Sequence, residues 1–217
     1  MLEIALTNRL FVLGGGLVVT PQGSYEPSLR MMSRRDTAVA YYLANKVLFE
    51  EEGAYIAISG GRQYGLEGVP QGISEAGWLQ DAFGSAGIPE HLHRSRVEHD
   101  ATDTAENLLH ALERGFFKPS DFTPEAPLGI VAGKKFGRRV QLYTHYLGFP
   151  TGSVAILETG EKEKPEEEYL YSQTQKTLRG MRILDTVSNI AELRRRHATL
   201  VALLHNDANR HHLEPLS

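Results

Sequence analysis

The sequence predicts an α/β protein with a mostly parallel sheet flanked by helices, and three observations carry that prediction. Short apolar runs end in glycine, longer stretches between them carry helical periodicity, and the two patterns alternate along the chain. Each run is short, which suits a strand buried on both faces. Crossovers between parallel strands are nearly always right-handed, so the carboxyl ends of such strands gather along one edge.

The elements follow in order. Residues 10–13 run into Gly14-Gly15-Gly16 and form the first predicted strand. A helix over 34–51 places Val39, Tyr42, Leu43 and Val47 on one stripe. Residues 55–58 run into Ser59-Gly60-Gly61 and form a second strand, followed by the glycine-rich segment QYGLEGVPQG and a helix over 74–84. Residues 94–97, ahead of EHDATDT, are a weaker strand candidate. The helix over 103–114 aligns Ala105, Leu108, Leu109 and Leu112, with Phe116 continuing the face. Residues 128–132 run into Gly133-Lys134-Lys135, a helix over 135–147 follows, and 153–157 form a last strand. Composition then shifts. ETGEKEKPEEE is a solvated charge run, and 188–205 carry a helical stripe of Ile190, Leu193, His197, Leu200, Val201 and Leu204. The expected organisation is an α/β domain over 1–157 and a C-terminal helical extension over 158–217, packed on that domain or on a second copy of the chain.

Composition excludes several function classes. At 217 residues the chain is long enough for one well-buried domain. A formal charge of −4 supplies no electrostatic attraction to a phosphate backbone, so no nucleic-acid partner is expected. Cysteine is absent, which removes disulfides, thiolate metal sites and a thiol nucleophile. No run approaches the roughly 20 apolar residues of a membrane helix, and the N-terminus lacks the basic start and apolar core of a signal peptide. A cytoplasmic location without membrane insertion is expected.

Ligands of open α/β sheets bind at the carboxyl ends of the strands. The residues expected there are Gly14, Gly15 and Gly16, then Ser59, Gly60, Gly61 and Arg62, the helix starts Ser74-Glu75 and Asp103-Thr104, and Lys134, Lys135, Arg138 and Arg139. Glycines leave backbone N–H groups open to a ligand, helix N-termini add partial positive charge, and guanidinium groups bind phosphate or carboxylate in pairs of hydrogen bonds. Together they favour an anionic or nucleotide-like small molecule. Plainer roles are open for each. A glycine-rich turn also serves as a turn alone, Glu75 favours its helix dipole, Asp103 with Glu106 reads as a capping box, and Asn107 lies off the apolar stripe. His91, His93 and His99 lack helical ligand spacing, and no metal site is expected. Neither a G-x-S-x-G elbow nor a G-x-x-x-x-G-K-[ST] loop is present.

The order GGG, SGG, SEA, DTAEN and a basic helix ending in Arg-Arg resembles the YdcF/SanA/ElyC family, a bacterial domain family of largely unknown function, from about Leu10 to Ile156. The resemblance implies a Rossmann-like three-layer α/β/α fold. It also implies a ligand site built from Gly14–Gly16, Ser59, Gly60, Gly61, Arg62, Glu75, Thr104, Asn107 and Arg139. Many SanA- and ElyC-type members carry a Thr-Ser-x-x-His segment, where this chain has AGKKFGRR with Phe136 at the histidine position. They are also membrane-anchored. The departures point to the soluble YdcF-type branch, for which S-adenosylmethionine binding has been proposed.

Three functions compete at this stage. The first is a small-molecule binding protein of the YdcF type, with S-adenosylmethionine a candidate ligand. The second is a hydrolase or transferase acting on a phosphorylated metabolite or envelope precursor, with Glu75 or Asp103 as general base. The third is an interaction protein working through 158–217. The loop between Arg62 and Gly72 is a candidate lid, since Gly65, Gly68 and Gly72 permit hinge motion.

Overall fold

A computed structural model describes residues 6–61, 72–101 and 104–160, together with residues 192 and 195. The chain divides into two compact units, Met1–Glu161 and Lys162–Ser217. In the second, Arg195 pairs with Glu192 one helical turn away. Residues 158–160 of the expected 158–217 extension belong to the first unit, and apart from Glu192 and Arg195 the rest of it lies outside the described residues. Arg62, Gly65 and Gly68 of the candidate lid also lie outside, as does Asp103 with its expected capping box.

Five strands form one sheet: β1 (Arg9–Leu13), β4 (Tyr55–Ser59), β5 (Val97–Glu98), β6 (Leu128–Gly133) and β7 (Val154–Thr159). Their order is β5-β4-β1-β6-β7, and every pairing is parallel. Leu10 sits beside both Ile56 and Gly129, so the three predicted central strands are neighbours in register. β1, β4 and β6 are apolar without alternation because helices cover both faces. One side buries Leu10, Val12, Ile56, Ile58 and Val131 against Met31, Ala38, Tyr42, Leu79 and Phe83. Among the residues outside that cluster, Phe11 meets Phe117 edge-on at 5.3 Å, and Phe117, Phe122 and Phe149 continue the aromatic contact. The three-layer α/β expectation holds.

The chain steps outward from β1 through β4 to β5, then returns to β6 on the other side of β1. That reversal places the topological switch point, the usual ligand crevice, between the carboxyl ends of β1 and β6. After β1 the chain makes a small antiparallel hairpin, β2 (Leu17–Val19) and β3 (Tyr25–Pro27), which the sequence reading did not foresee. Three-residue strands are too short to carry a period.

Helix boundaries differ in instructive ways. The helix expected over 34–51 is instead α1, Leu29–Ala44, followed by a 3-10 turn over Lys46–Glu50. Ser28 caps α1, its Oγ accepting from the Met31 N–H at 3.2 Å. The buried stripe is Met31, Arg34, Ala38 and Tyr42, so Leu43 and Val47 turn outward, 59% and 75% exposed. Of the predicted stripe, Tyr42 is buried and Val39 packs against the core, and Arg34 joins them on the inward face. α2 (Glu75–Ser85), α3 (Glu90–His93), α4 (Thr104–Glu113) and α5 (Lys134–Tyr146) complete the unit. α4 buries Ala105, Leu108 and Leu109 as expected. The strand foreseen over 94–97 lies at Val97–Glu98 instead, where it pairs with Ile58 and Ser59. β7 runs two residues past the expected boundary at 157. Among the described residues, no helix is long and apolar enough to cross a membrane.

Candidate functional site

The carboxyl ends of β1, β4 and β6 share one edge, since all three strands are parallel neighbours. Gly14–Gly16 leave β1, Ser59-Gly60-Gly61 close β4, and Gly133 ends β6 directly against the first turn of α5. The two glycine turns are stitched together. Gly14 N–H donates to the Ser59 carbonyl at 2.7 Å, and Gly60 and Gly61 N–H groups donate to the carbonyls of Glu98 and Ala101.

The space over these glycines is taken by the protein itself. A Cβ on Gly14 would overlap Glu75 Oε2, and one on Gly60 would lie 2.9 Å from that oxygen and from the Gly14 Cα. At Gly15 the obstacle is the Met31 backbone, and at Gly61 it is the carbonyls of His99 and Ala101. Gly16 has a φ of 104°, open in practice to glycine alone. These residues are glycines because side chain and backbone close over them, and Glu75 is what closes over two of them.

Glu75 is only 8% exposed. Burial pushes its carboxyl up to about 7, against the opposing pull of Arg34, a hydrogen bond from the Gly16 N–H, and Arg30. The expectation that it merely decorates a helix dipole does not describe a side chain this enclosed. Arg34, 4% exposed, reaches from α1 to donate to the carbonyls of Leu13 and Gly14. It thereby ties α1 to the end of β1 and brings a positive charge toward Glu75.

The start of α2 is satisfied from within. Glu75 N–H donates to Gly61 O at 3.1 Å, Ala76 N–H to Gly60 O at 2.8 Å, and Gly77 N–H to Ser74 Oγ at 2.9 Å. Ser74 Oγ also meets His99 Nδ1 at 2.7 Å. Those donors are therefore committed to the fold, leaving a ligand little at this helix end. α5 contrasts with it: Gly133 provides no side-chain cap and its first turn carries no acid. Its first two turns include Lys134, Lys135, Arg138 and Arg139.

Ser59 and Asn107 belong to a buried network rather than to an open surface. Ser59 Oγ lies 2.7 Å from Glu98 Oε2 and 2.8 Å from Asn107 Oδ1, both acceptors. A hydroxyl has one proton, so Ser59 donates to one of the two at a time. Glu98 is fully buried. Burial pushes its carboxyl up, but hydrogen bonds from His110, Ser59 and the Asp100 N–H outweigh that and hold it at about 2. Its Oε1 accepts from Asp100 N–H at 2.6 Å and Ala101 N–H at 3.1 Å, folding the loop that presses on Gly61. Solvation, the sequence-level account of Asn107, is replaced by burial at 6% exposure.

Of the expected site residues, the edge brings together Gly14, Gly15, Gly16, Ser59, Gly60, Gly61 and Glu75. Thr104 opens α4 and Arg139 lies in the second turn of α5, both half-buried, while Arg62 and Asp103 are outside the described residues. Sequence reasoning missed Arg34 and Glu98. Arg34 was findable in principle, because it stands three residues from Met31 and four from Ala38 on the apolar stripe. Compared with known families, curated proteins and solved structures, the chain matches none.

Proposed function

We propose that this protein binds an anionic or nucleotide-like small molecule at the carboxyl edge of its sheet, in the crevice between β1 and β6. The observation that carries this reading is Glu75, a buried carboxyl lifted to about 7, set against the glycine turns of β1 and β4. A retained buried acid is costly to a fold, and such groups concentrate at functional sites. Support comes also from the sheet order, which puts the switch point beside Gly14–Gly16, and from α5, whose uncapped first turn and basic residues favour an anion.

The motif order supports membership in the YdcF-type branch, and S-adenosylmethionine is the ligand that membership suggests. The donor set suits its chemistry. The first turn of α5 would take the carboxylate, while Glu75, through its small exposed edge, would accept from the amino group or a ribose hydroxyl. In this reading the protein is soluble and cytoplasmic, without nucleic-acid partners.

A second reading has its own observation. A carboxyl with a midpoint near 7 is suited to general acid–base work, which favours a hydrolase or transferase acting on a phosphorylated compound. Native mass spectrometry of freshly purified protein tests binding directly, since a copurified ligand appears as a defined added mass. Turnover of a phosphoester panel tests the alternative. Arg139→Ala should weaken an anionic ligand about ten- to a hundred-fold, as expected for a charged hydrogen bond of ~1.5–3 kcal/mol. An unchanged dissociation constant would remove Arg139 from the site.

A further inference from the structure

Glu75 is enclosed by three elements. Gly14 and Gly16 from the β1 turn and Gly60 from the β4 turn contribute only backbone. α1 contributes two charges, Arg34 and Arg30. Ser74, beside Glu75 on its own chain segment, leads to one further titratable group, His99, across a 2.7 Å contact. Among the described residues, the compensation available to an ionised Glu75 is thus two arginines and one N–H donor. Arg34 divides its donors further, with hydrogen bonds to the carbonyls of Leu13 and Gly14.

We infer that capture of an anion in this crevice brings a proton with it, held on the Glu75 carboxyl. This rests on the binding reading above and adds the charge rule of the site. The Gly14–Gly16 turn borders the crevice, and it is the same turn against which the carboxyl is packed. A negative charge captured in the crevice and one on the enclosed carboxyl, separated only by that turn, oppose each other, and protonating the carboxyl removes the conflict without moving any backbone. The neutral acid still accepts the Gly16 N–H, so the packing over Gly14 and Gly60 survives protonation. Sign follows from linkage. Anion binding raises the affinity of Glu75 for its proton, so anion affinity is greatest below about pH 7 and falls as pH rises through the carboxyl's range.

The test is titration calorimetry at pH 7 in buffers of different ionisation enthalpy. Inorganic sulfate and adenosine 3′,5′-cyclic monophosphate serve as anionic probes, because neither titrates near neutrality, and 5′-methylthioadenosine serves as an uncharged one. Expected for either anion is uptake of up to about half a proton per ligand, since a carboxyl at its midpoint is half protonated beforehand. Affinity should also weaken by up to about tenfold per pH unit above 7. The uncharged nucleoside should exchange none. Glu75→Gln should abolish the uptake, and His99→Gln should keep it. Anion binding with no proton uptake in the wild-type chain overturns the inference while leaving the binding reading intact. Loss of uptake in His99→Gln overturns it by assigning the proton to His99. Heat from neither anion overturns the anionic binding reading itself, and this inference with it.

Discussion

Replacing Gly14 by alanine isolates the contact on which the site is built. Gly14 is not among the glycines of positive φ, so its backbone conformation is open to any L-residue and the substitution adds no backbone strain. Its cost is steric. The new methyl would overlap Glu75 Oε2 and lie 2.9 Å from Glu75 Cβ and Cδ. The carboxyl cannot simply withdraw, because the start of α2 is tied to Gly60 and Gly61 by the Ala76 and Glu75 N–H groups. Overpacking of this kind costs about 1–3 kcal/mol, or about 2–4 °C of Tm per kcal/mol in a unit of this size. Urea unfolding followed by fluorescence reports the site directly, since Trp78, the only tryptophan, lies one turn beyond Glu75. The decisive measurement is a cycle of Gly14→Ala, Glu75→Ala and the double variant. Removing the carboxyl should recover about 1 kcal/mol or more of the Gly14→Ala penalty. Recovery should be incomplete, because the Glu75→Ala side chain retains the Cβ that lies 2.9 Å from the new methyl. Additive effects, or a Gly14→Ala cost below about 0.5 kcal/mol, would refute the account of why Gly14 is a glycine.

Gly15→Ala should destabilise more than Gly14→Ala in the same assay, because its methyl would meet the Met31 backbone at 2.5 Å, which no side-chain rotation relieves. Glu98→Gln should cost about 2–3 kcal/mol near neutrality. Its folded value is depressed from 4.5 to about 2, so the stability it contributes is present above 4.5 and lost as pH falls toward 2. Acid titration of unfolding midpoints should show that limb in the wild-type protein and a flatter one in the variant. Glu75 has the opposite sign. A folded value raised from 4.5 to about 7 makes its contribution fall by about 3 kcal/mol as pH rises through that window. Glu75→Gln should therefore gain on the wild-type protein between about pH 5 and pH 8, and a pH-independent difference would contradict the burial account. Burial holds the charged form of His93 down, so His93→Phe, packing beside Phe83 as the imidazole does, should blunt loss of stability below pH 6.5. Equal acid sensitivity in the two proteins would remove that role.

The order of residues along the chain was enough to place the sheet and the edge where its strands end. Residues 10–13, 55–59 and 128–132 are legible as buried strands because burial on both faces leaves a local signature, an apolar run with no alternation that stops at glycine. Gly14, Gly60, Gly61 and Glu75 were legible as neighbours for a similar reason: each stands at a strand end or helix start, and such ends meet on one edge of a parallel sheet. What fills that edge was not legible. Ser59 finds Glu98 and Asn107 across 39 and 48 residues of chain, and Arg34 reaches carbonyls about 20 residues back. No periodicity records which polar groups will face each other at such separations, and a charge on a helix reads as solvated until packing turns it inward. It took the packed chain to show that Arg34 and Asn107 are interior, that Leu43 and Val47 are not, and that a carboxyl rather than a void covers Gly14 and Gly60. Desolvation is the cause of this division. It is set by everything that surrounds a group in space, and so it acts only once the chain is closed around it.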